Sequence, residues 1–97
     1  MECHVGTLCL RIHIGSARSL KDKRQVIRSL KDRLKARHNI ALAEVAGQDS
    51  RQDSVVVAVT VANSRTGARM ALDSAHEEAV SALGRDLADA EFDILPL

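Results

Sequence analysis

From Leu8 to Ile14 the chain alternates strictly, with Leu8, Leu10, Ile12 and Ile14 on one side and Thr7, Cys9, Arg11 and His13 on the other. A period of two marks a strand with one buried face. Gly15-Ser16-Ala17-Arg18 breaks the pattern. Ser19-Leu20-Lys21-Asp22 then has the spacing of a capped helix start, an acceptor at the cap and a carboxylate three residues on. Val26, Ile27, Leu30 and Leu34 recur at three and four residues, which predicts a helix over about 20–37 with one apolar stripe facing a sheet. Asn39 is expected to close it in the left-handed conformation that Asn tolerates. The stretch from Ile40 to Val45 is a short strand without a clear register, since Ile40 and Leu42 favour one face and Ala43 and Val45 the other. Such a clash suggests a bulge. Gly47 to Asp53 is a polar turn whose Asp and Ser side chains can bond nearby backbone. Ser54 to Ala62 alternates again. Its branched Val55, Val57, Val59 and Val61 are expected to be the inward face of a central strand, with Val56, Ala58 and Thr60 outward. Asn63-Ser64 can cap a second helix over about 65–83 that Gly84 closes. The last strand lies between Leu87 and Leu95, with Phe92 and Ile94 inward and Glu91 and Asp93 outward.

The order is strand, helix, strand, strand, helix, strand. Two right-handed crossovers joined by a hairpin give a ferredoxin-like β-α-β-β-α-β sandwich of the α+β class, a four-stranded antiparallel sheet with both helices on one face. Residues 1–97 are expected to form this single domain. Hydrophobic residues at 45% and charged residues at 28% suit a folded globular chain. No apolar run approaches the ~20 residues that span a bilayer, and Met1-Glu2-Cys3-His4 does not begin a secretory signal. Cys3 and Cys9, on one extended strand, would lie roughly 20 Å apart, far beyond disulfide reach. Together these features predict a cytoplasmic protein without a membrane partner.

The formal net charge of +1 conceals a strong asymmetry. Between Arg18 and Arg37 nine Lys or Arg residues face only Asp22 and Asp32, whereas between Asp73 and the C-terminus seven Asp or Glu residues face only Arg85. At about 100° per residue, Lys21, Arg24, Arg28, Lys31 and Lys35 fall within roughly a quarter of the first helix's circumference. Arg18 extends this stripe at its N-terminal end, and Lys23 lies nearer the apolar side. Only Asp22, four residues after Arg18, and Asp32, four after Arg28, sit among these bases, although a face built only for solubility usually interleaves both signs more evenly. Two readings follow. The stripe is a site for a polyanion such as RNA or the ribosome, or it is a solvated face balanced by the chain's own acidic half. The outward sheet positions carry no Phe, Tyr or Trp on which a base could stack, so RNA contact is expected to involve phosphates and shape. Because that face is also poor in charge, a homodimer or another protein contact through it is the alternative.

Chemistry finds little support. Cys9 and His13 are separated by about 13 Å along a strand, and His76 has no second His or Cys at helical spacing, so no metal or cofactor site is expected. Asp49 and Asp53 read as turn residues. Gly15 to Ser19 leads into a helix N-terminus that favours anions, but it lacks the glycine spacing that wraps a phosphate.

At Ser19-Leu20-Lys21-Asp22-Lys23-Arg24, with Arg28-Ser29-Leu30 and Ala43-Glu44-Val45 followed by Asp49, the chain resembles the YlxP-like family of small bacterial proteins, a domain family of unknown function. The resemblance covers nearly the whole chain. It implies the same ferredoxin-like fold, and the family's frequent gene neighbourhood with translation initiation and ribosome maturation factors implies a ribosomal connection. It transfers no catalytic residue. Family members often carry a large apolar or aromatic residue after the hairpin Asp, where this chain has Ser50-Arg51. The expected function is therefore a non-enzymatic accessory protein that contacts RNA or the ribosome through Arg18, Lys21, Lys23, Arg24, Arg28, Lys31 and Lys35.

Overall fold

The alternating segments become strands and the three-to-four spaced segments become helices in the computed structural model, which describes residues 1–97. Chain order is β1 (His4–His13), α1 (Leu20–Arg37), β2 (Ala41–Ala46), β3 (Asp53–Ala62), α2 (Arg65–Leu83) and β4 (Leu87–Pro96), with a 3₁₀ turn at Gly84–Asp86 before β4. The sheet runs β2-β3-β1-β4, and every neighbouring pair is antiparallel. Both helices pack on one face, which gives the ferredoxin-like sandwich.

Ser19 caps α1 by accepting from the Asp22 amide, and the Asp22 carboxylate in turn accepts from the Arg18 amide. At the other end the structure corrects an expectation. No residue other than glycine has a positive φ, and His38 ends α1 in an extended conformation while its amide donates to the Leu34 carbonyl. Asn39 instead presents its carbonyl to the Thr60 hydroxyl, which ties the α1–β2 connection to β3. The suspected bulge is present: pairing of β2 with β3 shifts between Glu44 and Ala46, leaving Val45 exposed.

The core takes Leu8, Leu10 and Ile12 from β1, Ile14 just beyond its end, and Ile27, Leu30 and Leu34 from α1. Leu72, Ala75, Ala79 and Leu83 complete it from α2. Small residues on α2 let the helix sit close to β1. At Gly6 an added Cβ would meet Leu72 Cδ1 at 2.8 Å.

The largest correction concerns β3. Ser54, Val56, Ala58 and Thr60 are the buried members, while Val55, Val57 and Val59 are half-buried and Val61 is exposed. The valines thus line the open face, the reverse of the expected facing. Pairing sets this phase: Leu8 and Leu10, which point at the helices, lie opposite Ala58 and Val56, and directly paired residues share a face. Small residues in the middle of β3 leave room for the leucines of β1 and the helices above them. Branching alone could not reveal that. Phe92 is half-buried at the edge of the core, with the Arg69 guanidinium 4.0 Å over its ring and His76 edge-on.

Candidate nucleic-acid interface

The nine bases of the Arg18–Arg37 segment separate into three groups once side chains are placed. Lys23 leaves the surface entirely. Its side chain is 0% exposed, and Nζ donates to the Gly47 carbonyl at 2.6 Å, to Glu44 Oε2 at 3.2 Å and to the Asp53 carbonyl at 3.3 Å. Expected as a member of the stripe, it is a structural clamp that fastens α1 to both ends of the β2–β3 hairpin. Its helical angle, nearer the apolar side, was the available signal; Glu44, the missing half of the pair, could not be assigned because the bulge obscures the phase of β2. Burial alone would raise the Glu44 carboxyl, but hydrogen bonds from Ser54 and Lys23 and the charges of Lys23 and Lys31 outweigh it and lower its pKa.

Arg33 and Arg37 turn towards α2 instead. Both reach Glu78 Oε2, at 2.7 and 3.1 Å, and His38 Nε2 lies 2.7 Å from Glu78 Oε1. Hydrogen bonds from Arg33 and His38, with the neighbouring Arg37 charge, hold the Glu78 carboxyl below its usual range against the opposing effect of burial. These bases tie the two helices together.

Arg18, Lys21, Arg24, Arg28, Lys31 and Lys35 remain. None forms an ion pair within 4.0 Å: apart from contacts of the histidines, the pairs in the molecule are Lys23–Glu44, Arg33–Glu78, Arg37–Glu78 and Arg69–Asp73. Arg24, Arg28, Lys31 and Lys35 come together with Ile27, Asp32 and Glu44 around a shallow cleft of about 260 Å³ between α1 and β2. Because β2 and β4 are opposite edges of the sheet, the acidic residues Asp89, Glu91 and Asp93 lie across its full width from this cleft. These three acids therefore do not balance the stripe, and of the other acids in the C-terminal part Asp73 pairs with Arg69 and Glu78 with Arg33 and Arg37.

A second depression, about 480 Å³ and open, lies at the N-terminal end of the stripe between the β1–α1 loop and the hairpin. Arg18 and Arg51 both line it, with Ser50, Gln52 and Asp53. Gln52 holds the two loops together by donating to the Gly15 and Ala17 carbonyls, and Ser50 Oγ accepts from the Gln52 and Asp53 amides. Asp53 hydrogen-bonds His13 at 2.7 Å, which lowers its pKa. Serine and aspartate thus act as turn chemistry, and the cap engages the Arg18 and Asp22 amides. Cys3 and Cys9 are unpaired, and no three His, Cys, Asp or Glu side chains gather in metal-binding geometry. No helix is long and apolar enough to cross a membrane.

A ferredoxin-like domain with a cationic outer helix is the class defined by these observations. The chain belongs to a family described as protein of unknown function, DUF503, whose model matches residues 5–91. Comparison with proteins of curated function yields no match. Among solved structures, a dimeric ferredoxin-like protein of unknown function from Thermobifida fusca is similar at TM-score 0.57 and 19% identity, covering 98% of this chain and 92% of its own. SnoaB, a cofactor-independent oxygenase from Streptomyces nogalater, is similar at TM-score 0.55 and 16% identity, over 94% of this chain and 90% of its own. The designed protein Foldit4 is similar at TM-score 0.53 and 11% identity, over 99% and 97%. At these identities the likeness extends to the fold alone.

Proposed function

We propose that the protein is a non-enzymatic accessory factor of the YlxP-like kind that binds structured RNA, such as ribosomal RNA, through phosphate contacts along α1. The observation that carries the reading is the run of six unpaired cations, Arg18, Lys21, Arg24, Arg28, Lys31 and Lys35. Leaving six like charges together with only Asp32 and the already engaged Glu44 beside them is unfavourable for the isolated fold, and a polyanion relieves it. From Lys21 to Lys35 the stripe rises about 21 Å, enough for several successive phosphates. With no Phe, Tyr or Trp on the open face of the sheet to stack a base, recognition rests on shape and backbone charge.

Fluorescence anisotropy with a labelled ribosomal RNA hairpin tests this. Affinity should fall with salt with a log-log slope of about −4 to −5, at ~0.7 to 0.9 for each of six contacts. The triple variant Arg24→Glu, Arg28→Glu, Lys31→Glu should abolish binding while the fold persists by circular dichroism. Binding that survives the reversal, or that ignores salt, overturns the reading.

A further inference from the structure

The reversed facing of β3 changes what the open side of the sheet can do. Register places its outward residues in four rows across the strands. One row holds Val61, Val5 and Leu95; the next holds Ala41, Val59, Thr7 and Asp93; the third holds Ala43, Val57, Cys9 and Glu91; the fourth holds Ala46, Val55, Arg11 and Asp89. Apolar side chains therefore fill β2, β3 and one end of β1 and β4, while the acids form a single file along the β4 edge. No element of the chain covers this face.

We infer that the face is covered by a second copy of this chain, stacked sheet on sheet about a twofold axis that runs parallel to the strands. Area supports this occupant. Three strands of ten residues and one of six, at about 4.8 Å between strands and about 3.3 Å per residue, give ~570 Å² of flat sheet, and side-chain relief brings this towards the ~800 Å² per partner of a standard interface. The position of the acids selects the axis. An axis across the strands would lay β4 on the partner's β4 and stack Asp89, Glu91 and Asp93 against their own copies. The axis along the strands lays β4 over the partner's β2, where Ala41 and Ala43 carry no charge and the basic cleft borders the edge. Valines of β3 then meet β1 of the partner, and Glu91 of each copy faces Ala43 of the other.

Sedimentation velocity from micromolar to submillimolar protein tests the interface. The wild type should sediment as a dimer at the upper concentrations, and Val57→Glu should raise the dissociation constant at least about tenfold. Ala43 is exposed, so its variants keep the fold. Ala43→Glu, which meets Glu91, should weaken the dimer about tenfold or more, while Ala43→Lys should keep or tighten it. A wild type that stays monomeric throughout overturns the inference, as does a dimer indifferent to Val57→Glu. Equal responses of the two Ala43 variants overturn the arrangement.

Discussion

Replacing Lys23 with methionine separates the clamp from the stripe. Methionine preserves most of the aliphatic stem, so no large cavity opens; what disappears is an ammonium with three acceptors in a site from which Lys23 is wholly excluded from water. Breaking one side of a fully buried pair costs about 3–5 kcal/mol. Glu44 keeps 19% of its side chain exposed and retains its bond from Ser54, which lowers the expected loss to about 2–4 kcal/mol. At ~4–8 °C per kcal/mol for a domain of this size, the melting temperature should fall by roughly 10–25 °C.

The control is Lys21→Met, an exposed residue on the same helix without an ion pair, expected within about 0.5 kcal/mol of the parent. The two variants should trade places in the RNA assay: Lys23→Met binds normally below its melting temperature, whereas Lys21→Met reduces the salt slope by ~0.7 to 0.9. Removing both charges, as Lys23→Met with Glu44→Leu, should recover part of the lost stability, because a buried pair is often replaceable when both members go. The Glu44 pKa is depressed on folding, so the pair stabilises fully above the ordinary value of 4.5 and its contribution disappears as pH falls through the folded value. The gap between parent and Lys23→Met should therefore narrow in acid. A Lys23→Met melting point within a few degrees of the parent at neutral pH refutes the clamp.

The Glu78 site has the same sign: its carboxyl pKa is lowered on folding, so chemical denaturation across pH should show Glu78→Gln less stable than the parent above about pH 5, with the difference fading below 4.5. Neutralising Arg24, Arg28 and Lys31 to glutamine together breaks no native ion pair and should leave the melting temperature unchanged or higher, even as RNA affinity falls. Gly47 has φ +81°, and a Cβ there would lie 2.6 Å from the Asp53 carbonyl oxygen. Gly47→Ala should cost about 1–3 kcal/mol in urea denaturation, disturbing the same hairpin end that Lys23 fastens.

Sequence pattern captured α1, with its cap at Ser19, and placed β1 in the correct phase because leucine and isoleucine there alternate with polar residues. In β3 both faces are apolar enough to be buried, so alternation told which residues share a face but not which face meets the helices. Pairing with β1 settles that, and pairing is a long-range fact. Lys23 failed for a related reason: a lysine near an apolar stripe can extend its head to water or bury it, and only a carboxylate with two carbonyls waiting at the hairpin decides between these. The stripe itself was legible because helical spacing alone aligns its members. That the acids of β4 do not neutralise them depended on strand order, which places β4 at the edge away from α1's cleft.

The net charge of +1 is thus a sum over groups that act in different places. Bases on the helical layer present a cationic surface at the β2 side, and the acids of β4 line the opposite edge of the open sheet. An acidic edge would repel phosphates and so favour approach of the proposed polyanion along α1, while the valines between the two edges form the face proposed to pair with a second copy. The proposed sheet-to-sheet dimer would leave both α1 stripes outward on opposite sides. Two such stripes can engage separate phosphate runs of one folded RNA, and the second contact then forms at the effective concentration set by the first. Affinity gained this way requires no base-specific group, which accords with a chain whose only aromatic residue, Phe92, packs against the core beneath Arg69.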